Sequence, residues 1–230
     1  MERAMLILDL AWRDLLRDRF FLFCNVAVMV GILVPLLLLF GVKNGVYRAL
    51  IGEMLADPAN LQIDTAGNGA FTEADLAPLR DWPEIAFLTP KVRGQFDYMN
   101  LRAKGDGRIV TALVVPSGAG DPSLPEGVGL AAGEVAVSAT LARLLELSTG
   151  QTVQLISQAE GRPRQLLLEA RVAAVLDDRA AAGRAVLAPY PLLDTIEAFY
   201  DSYALPEHGI TEGRDLSERV AVYEGVRVYA

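Results

Sequence analysis

The chain has 230 residues, 52% of them hydrophobic, with one cysteine, one histidine and a formal net charge of −8. Such an acidic balance argues against nucleic-acid binding, which needs clustered Lys and Arg, while the length is ample for a buried core. Cys24 has no partner for a disulfide, and with His208 as the sole histidine no His/Cys metal set can form beyond the first 42 residues.

Residues 4–19 carry Leu8, Ala11, Trp12, Leu15 and Leu16 at helical spacing, with Asp9 and Arg13 four apart. They read as an amphipathic helix on a membrane surface, where Trp12 suits the interface. A plain cytoplasmic extension of the neighbouring apolar helix reads equally well. Phe20 to Val42 is an unbroken run of 23 uncharged residues. As a helix it reaches roughly 34 Å, enough to cross a hydrocarbon core of about 30 Å. A signal peptide would have a shorter apolar core and a small-x-small cleavage site, whereas this run leads into Lys43, Asn44 and Gly45. The reading is therefore an uncleaved, single-pass anchor. Arg3, Arg13, Arg17 and Arg19 precede it, which places the N-terminus in the cytoplasm and residues 43–230 outside.

Within the span, Asn25, Gly31 and Pro35 mark expected helix-packing positions, because an amide facing lipid is costly and small residues let helices approach. Val42, Val46, Leu50 and Met54 continue an i, i+4 stripe, so residues 43–56 are expected to extend the helix as a stalk.

Beyond Pro58 the pattern is mixed α and β. Residues 60–65 alternate as a strand, Gly67 to Gly69 makes a turn, and Thr72-x-x-Asp75 opens a short helix to Arg80. An extended segment starts at Ile85, and Gln95–Arg102 with Arg108–Val115 form a hairpin across Lys104-Gly105-Asp106-Gly107. Residues 116–129 are Pro/Gly/Ser-rich loop. Glu134–Val137 is a strand, and Ser138 caps a helix to about Leu147. Strands are expected at 152–157, 165–175 and 185–188, a helix at 191–199, irregular chain at 200–219, and a strand at Gly225–Ala230. The last strand should pair with residues 60–65 and leave an apolar face or an edge under-covered.

Catalytic signatures are lacking. The sequence holds no phosphate-cradling G-x-x-x-x-G-K-[ST] loop, and Gly127, Gly129 and Gly133 miss dinucleotide spacing. Asp177 and Asp178 fall at a strand end, where neighbours in a strand would point to opposite faces and could not share a proton, so a turn with solvated charges is the better reading. No residue earns an enzymatic role and no cofactor is expected.

The order of parts resembles the N-terminal part of an ABC-transporter permease of the MacB-like/FtsX-like superfamily, through its first transmembrane helix and MacB-like periplasmic core domain. Leu10 to Arg19 (LAWRDLLRDR) is similar to the family's opening helix. Phe71 to Leu76 with Trp82 to Ile85 resembles its first helix and strand, and Gly133-Glu134-Val135-Ala136-Val137-Ser138, Leu141 to Leu145 and Gly150 to Val153 form the nearest local match. Val172 to Asp177 and Val226 to Ala230 resemble family strands. The resemblance implies an α+β fold: one transmembrane helix, then an exported mixed α/β domain with a split βαβ layer and an inserted small β-rich subdomain.

It further implies a cytoplasmic amphipathic helix at 1–19, the span at 20–42, the stalk at 43–56, and a periplasmic core domain at 57–230 that is C-terminally incomplete. The implied job is in the bacterial inner membrane: coupling ATP hydrolysis by a separate ABC ATP-binding subunit to movement of the periplasmic domain, for efflux, lipoprotein release or mechanotransmission. Trp12, Arg13 and Arg17 would meet that ATPase. A second copy or a related permease subunit, a periplasmic adaptor or outer-membrane partner, and membrane lipid complete the expected partners. The alternative from a different class is a single-pass, membrane-anchored periplasmic interaction module without transport activity.

Overall fold

The computed structural model describes residues 2–56, 58–66 and 69–229. The chain divides into two compact units, Met1–Ala56 and Asp57–Ala230.

The first unit is two helices, α1 (Glu2–Arg17) and α2 (Arg19–Ala56). Asp18 separates them. Its N–H donates to Asp14 O at 3.2 Å, closing α1, and its Oδ1 accepts the Phe21 N–H at 3.3 Å. This is an N-cap: a short acidic side chain satisfies a donor that the first turn of α2 leaves free. The helix break therefore falls before Arg19. α2 runs for 38 residues through Pro35, about 57 Å at helical rise. Its apolar part, within Arg19–Gly52, has a mean hydropathy of 2.6 and is long and apolar enough to cross a membrane. The side chains of Leu8, Leu15 and Leu16, part of the expected apolar stripe of α1, lie outside the described set.

The second unit is mixed α/β. After a 3-10 turn at Pro58–Leu61 come β1 (Gln62–Asp64), α3 (Glu73–Arg80) and β2 (Phe87–Lys91). The expected turn at Gly67 to Gly69 falls largely on undescribed residues. Asp75 Oδ2 accepts both the N–H and the Oγ1–H of Thr72 at 2.8 Å, the cap read from the Thr72-x-x-Asp75 spacing. These two bonds also hold the Asp75 carboxyl below its ordinary range. The chain then runs through β3 (Tyr98–Ala103), β4 (Val110–Ser117), β5 (Glu134–Ser138), α4 (Ala139–Leu145), β6 (Thr152–Ser157), β7 (Leu166–Leu176), β8 (Ala185–Pro189), α5 (Tyr190–Tyr200) and β9 (Gly225–Tyr229).

Two sheets result. β9 lies between β1 and β2 and is antiparallel to both, so β1 and β2 run parallel on either side of it. With α3 joining them, this is a βαβ layer split by a strand from the far end of the sequence. The other six strands close a barrel in the order β3-β4-β8-β5-β7-β6, sealed by the β3–β6 ladder. The inserted part is thus larger than the small subdomain expected from the resemblance. Closure leaves the barrel with no free edge.

Period-two alternation explains the barrel interior. In β7, Leu166, Leu168, Ala170 and Val172 are buried, whereas Leu167 and Val175 are exposed. α4 and α5 plug the barrel with Leu141, Leu145, Leu193, Ile196 and Phe199. Ser138 Oγ accepts the Leu141 N–H at 3.2 Å as the α4 cap and donates to Gly183 O at 2.7 Å. A smaller cluster, including Leu124, Leu130, Leu176 and Leu187, sits under the 118–133 connection.

The last strand pairs with residues 62–64 as expected, but one expectation about it needs correction. β9 has no unpaired edge: Val228 faces Ile63 on one side and Leu88 on the other, and it is buried. Residues 116–129 contain loop as expected, yet Ser117, Asp121, Ser123 and Leu124 are all buried there.

Candidate functional site

The predicted site residues all lie on the first unit. Gly31 and Pro35 are one turn apart on α2 and share a stripe, but Asn25 lies about 80–120° around the helix from them. The three do not form one face. A Cβ at Gly31 would meet nothing within 4 Å, and Asn25 is exposed. On α1, Arg13 Nε pairs with Asp9 Oδ2 at 3.2 Å, and Trp12 and Arg17 are exposed. Arg13 and Arg17 are one turn apart, so α1 presents two guanidiniums along one line.

The second unit holds two polar clusters that pattern reading missed. The first is centred on Arg227, in the middle of β9. Arg227 Nη1 donates to Pro116 O at 2.8 Å and to Asp121 Oδ2; Nη2 donates to Ser123 Oγ at 2.9 Å and to Tyr229 OH at 2.8 Å; Nε donates to Gln62 Oε1 at 2.9 Å. Asp121 is held in turn by Ser117 Oγ–H at 2.6 Å and by the Ser123 N–H at 2.8 Å. The Arg227 and Asp121 side chains are 3% and 0% exposed. A charge pair this dry persists only where every lone pair and N–H finds a partner, and here they do.

The second cluster is centred on Glu197 of α5, which is 2% exposed. Glu197 Oε1 accepts the Arg93 N–H at 2.8 Å and Arg93 Nε–H at 3.2 Å, and Oε2 accepts from Arg219 Nη2 at 3.3 Å. Arg219 Nη1 also donates to Asp194, whose Oδ1 accepts Tyr190 OH at 3.0 Å. Arg93 Nη2 lies 2.8 Å from Asp201 Oδ1. Burial pulls the Arg219 guanidinium down, but its hydrogen bond and ion pair with Asp194 outweigh that and leave it above its ordinary value. Burial, then the Asp194 carboxylate, push the Tyr190 phenol far above its usual range. Arg93, Glu197, Asp201, Arg219 and Glu224 line an open cleft of about 340 Å³, with Val220 and Val222 on its rim.

A signal for the second cluster did exist. Tyr190, Asp194, Glu197 and Asp201 recur at i, i+4, i+7 and i+11, a polar stripe beside the apolar Leu193, Ile196 and Phe199. For Arg227 the alternation misleads. It assigns Val226 and Val228 to the core and turns Arg227 outward, whereas a central strand under cover buries both faces. His208 is exposed in a 3-10 turn, and among the described residues no group of three or more His, Cys, Asp or Glu could hold a metal ion.

No protein-family model matches the sequence, and no curated protein matches it. Among solved structures, the extracellular domain of the noncanonic ABC-type transporter YknZ from Gram-positive bacteria is similar at 15% identity. The match covers 70% of this chain and 73% of that one, with a TM-score of 0.42.

Proposed function

We propose that this chain is a membrane component of an ABC transporter of the MacB-like/FtsX-like permease kind. It sits in the bacterial inner membrane with α1 in the cytoplasm and the α/β unit outside. It couples ATP hydrolysis by a separate ATP-binding subunit to movement of that outer unit, serving efflux, lipoprotein release or mechanotransmission. The observation that carries the reading is the order of parts. A short amphipathic helix with a basic end is capped by Asp18 into one uninterrupted 38-residue helix, and a split βαβ layer comes next in the chain. A passive tether needs only about 20 apolar residues. α2 is about 57 Å long against a hydrocarbon core of about 30 Å, so it reaches well past the bilayer and can carry displacement from one side to the other, with Pro35 as the point where it can bend. The nucleotide chemistry belongs to the partner, since this sequence has no phosphate loop.

Arg13 and Arg17 give the ATP-binding subunit a basic line to dock on, and Gly31 and Pro35 give a second transmembrane helix a place to pack closely. The test is co-purification from membranes of the host cell, with recovery of an ATP-binding subunit as the readout. Charge reversal at Arg13 and Arg17 should reduce recovery of that subunit at least about tenfold, the cost of a few charged contacts. Recovery unchanged by both reversals and by removal of residues 1–19 refutes the contact.

A further inference from the structure

Neither hydrophobic cluster of the second unit contains a residue before Val92 or after Ile210. The buried side chains of the split layer, Leu76, Phe87, Val228 and Tyr229, belong to neither. Layer and barrel thus share neither apolar cluster, and among the described residues their apolar contact is local, as where the Phe87 ring lies beside Gly118. The two polar clusters bridge them instead, helped by Tyr223 meeting Tyr190 edge-on at 5.2 Å.

The bridges differ in kind. At the Arg227 bridge, β9 grips the 116–123 segment through groups no more than 4% exposed. At the Glu197 bridge, one carboxylate holds both the exit of β2, through Arg93, and the approach to β9, through Arg219. There Glu197 and Arg219 are 2% and 9% exposed, but their partners Arg93, Asp194 and Asp201 are 36%, 32% and 31% exposed, and the open cleft lies beside them. A dry, fully satisfied ion pair opens rarely; a watered one can exchange its partners for solvent.

We infer that the β1–β9–β2 layer with α3 is a rigid body hinged on the barrel at Arg227 and held shut by a releasable latch at Glu197. Opening the latch frees residues 215–222 and the Arg93 turn from α5, while Arg214, bonded to Ser202 and Ala204, stays on the barrel and the hydrogen-bonded layer stays whole. The inference goes beyond the transporter reading and holds whether or not an ATPase drives the chain.

Hydrogen–deuterium exchange on the full chain in detergent micelles tests it, with Glu197→Gln, Arg219→Met and the double variant. Each single change should speed exchange in peptides covering 215–222 about tenfold, equivalent to losing one hydrogen bond to a charged group. Peptides of β9 and of β5 to β7 should keep their protection. The double variant should exchange no faster than the faster single one, because both remove one latch. Faster exchange in β5 to β7 to the same degree overturns the latch, since Glu197 would then support the whole unit. Loss of protection in β9 together with 215–222 overturns the rigid layer, and no change in 215–222, or multiplied effects in the double variant, overturns the single latch.

Discussion

Replacing Arg227 with Met removes the centre of the dry bridge while keeping an unbranched side chain of comparable reach. Lost are the bonds to Pro116 O, Ser123 Oγ, Tyr229 OH and Gln62 Oε1, together with the ion pair to Asp121. Asp121 then keeps only the Ser117 hydroxyl and the Ser123 N–H as donors at a site with 0% side-chain exposure. Breaking a buried pair by removing one partner costs about 3–5 kcal/mol, because the surviving charge is stranded. For a domain of this size about 2–4 °C follows each kcal/mol, so the Tm should fall by roughly 6–20 °C. Thermal melting followed by circular dichroism in the β-sheet region, on the full chain in detergent, reads the second unit against the constant helical signal of α2. Arg227→Met/Asp121→Leu supplies the control: with both charges gone, most of the lost stability should return. A fall of less than about 3 °C for Arg227→Met, or a double variant no better than the single, refutes the reasoning.

Asp97 sits with Asp64 and Glu224 near Lys91, and burial pushes its carboxyl up; the two acids add to the rise and Lys91 opposes it. Its charged form is therefore a cost of folding that is present above the folded pKa and lost as the pH falls below the unfolded value of about 3.9. Asp97→Asn should melt higher than the wild type at pH 7, and the difference should shrink to nothing toward about pH 3.5; a variant less stable at pH 7 would contradict this. Orientation is checked with a membrane-impermeant maleimide on intact spheroplasts in a Cys24→Ser background. Glu126→Cys, on an exposed position of the second unit, should label and Asp9→Cys should not; the reverse pattern would overturn the topology and with it the transporter reading.

Local rules reach far in this chain. The α3 cap at Thr72 and Asp75, the α4 cap at Ser138, the β3–β4 hairpin and the β7 alternation all arise from contacts within a few residues of each other, so pattern and propensity suffice to read them. The apolar run of α2 is read from composition alone, although its start at Arg19 depends on a cap by Asp18 that the eye passes over inside a basic stretch. What tertiary structure alone decides is where the far-apart segments meet. Arg227 finds its partners at Gln62, Pro116, Asp121 and Ser123, and Glu197 finds Arg93 and Arg219, over separations up to 165 residues. Nothing in the alternation of β9 signals that its polar side is covered, because burial on both faces comes from neighbours distant in the sequence. The barrel closure has the same origin: the β3–β6 ladder pairs Asn100 with Ile156, residues far apart in the sequence. Periodicity in the sequence determines which face of an element is apolar. The fold decides which charges are taken out of water, since only the assembled neighbours can supply the hydrogen bonds that make such burial tolerable.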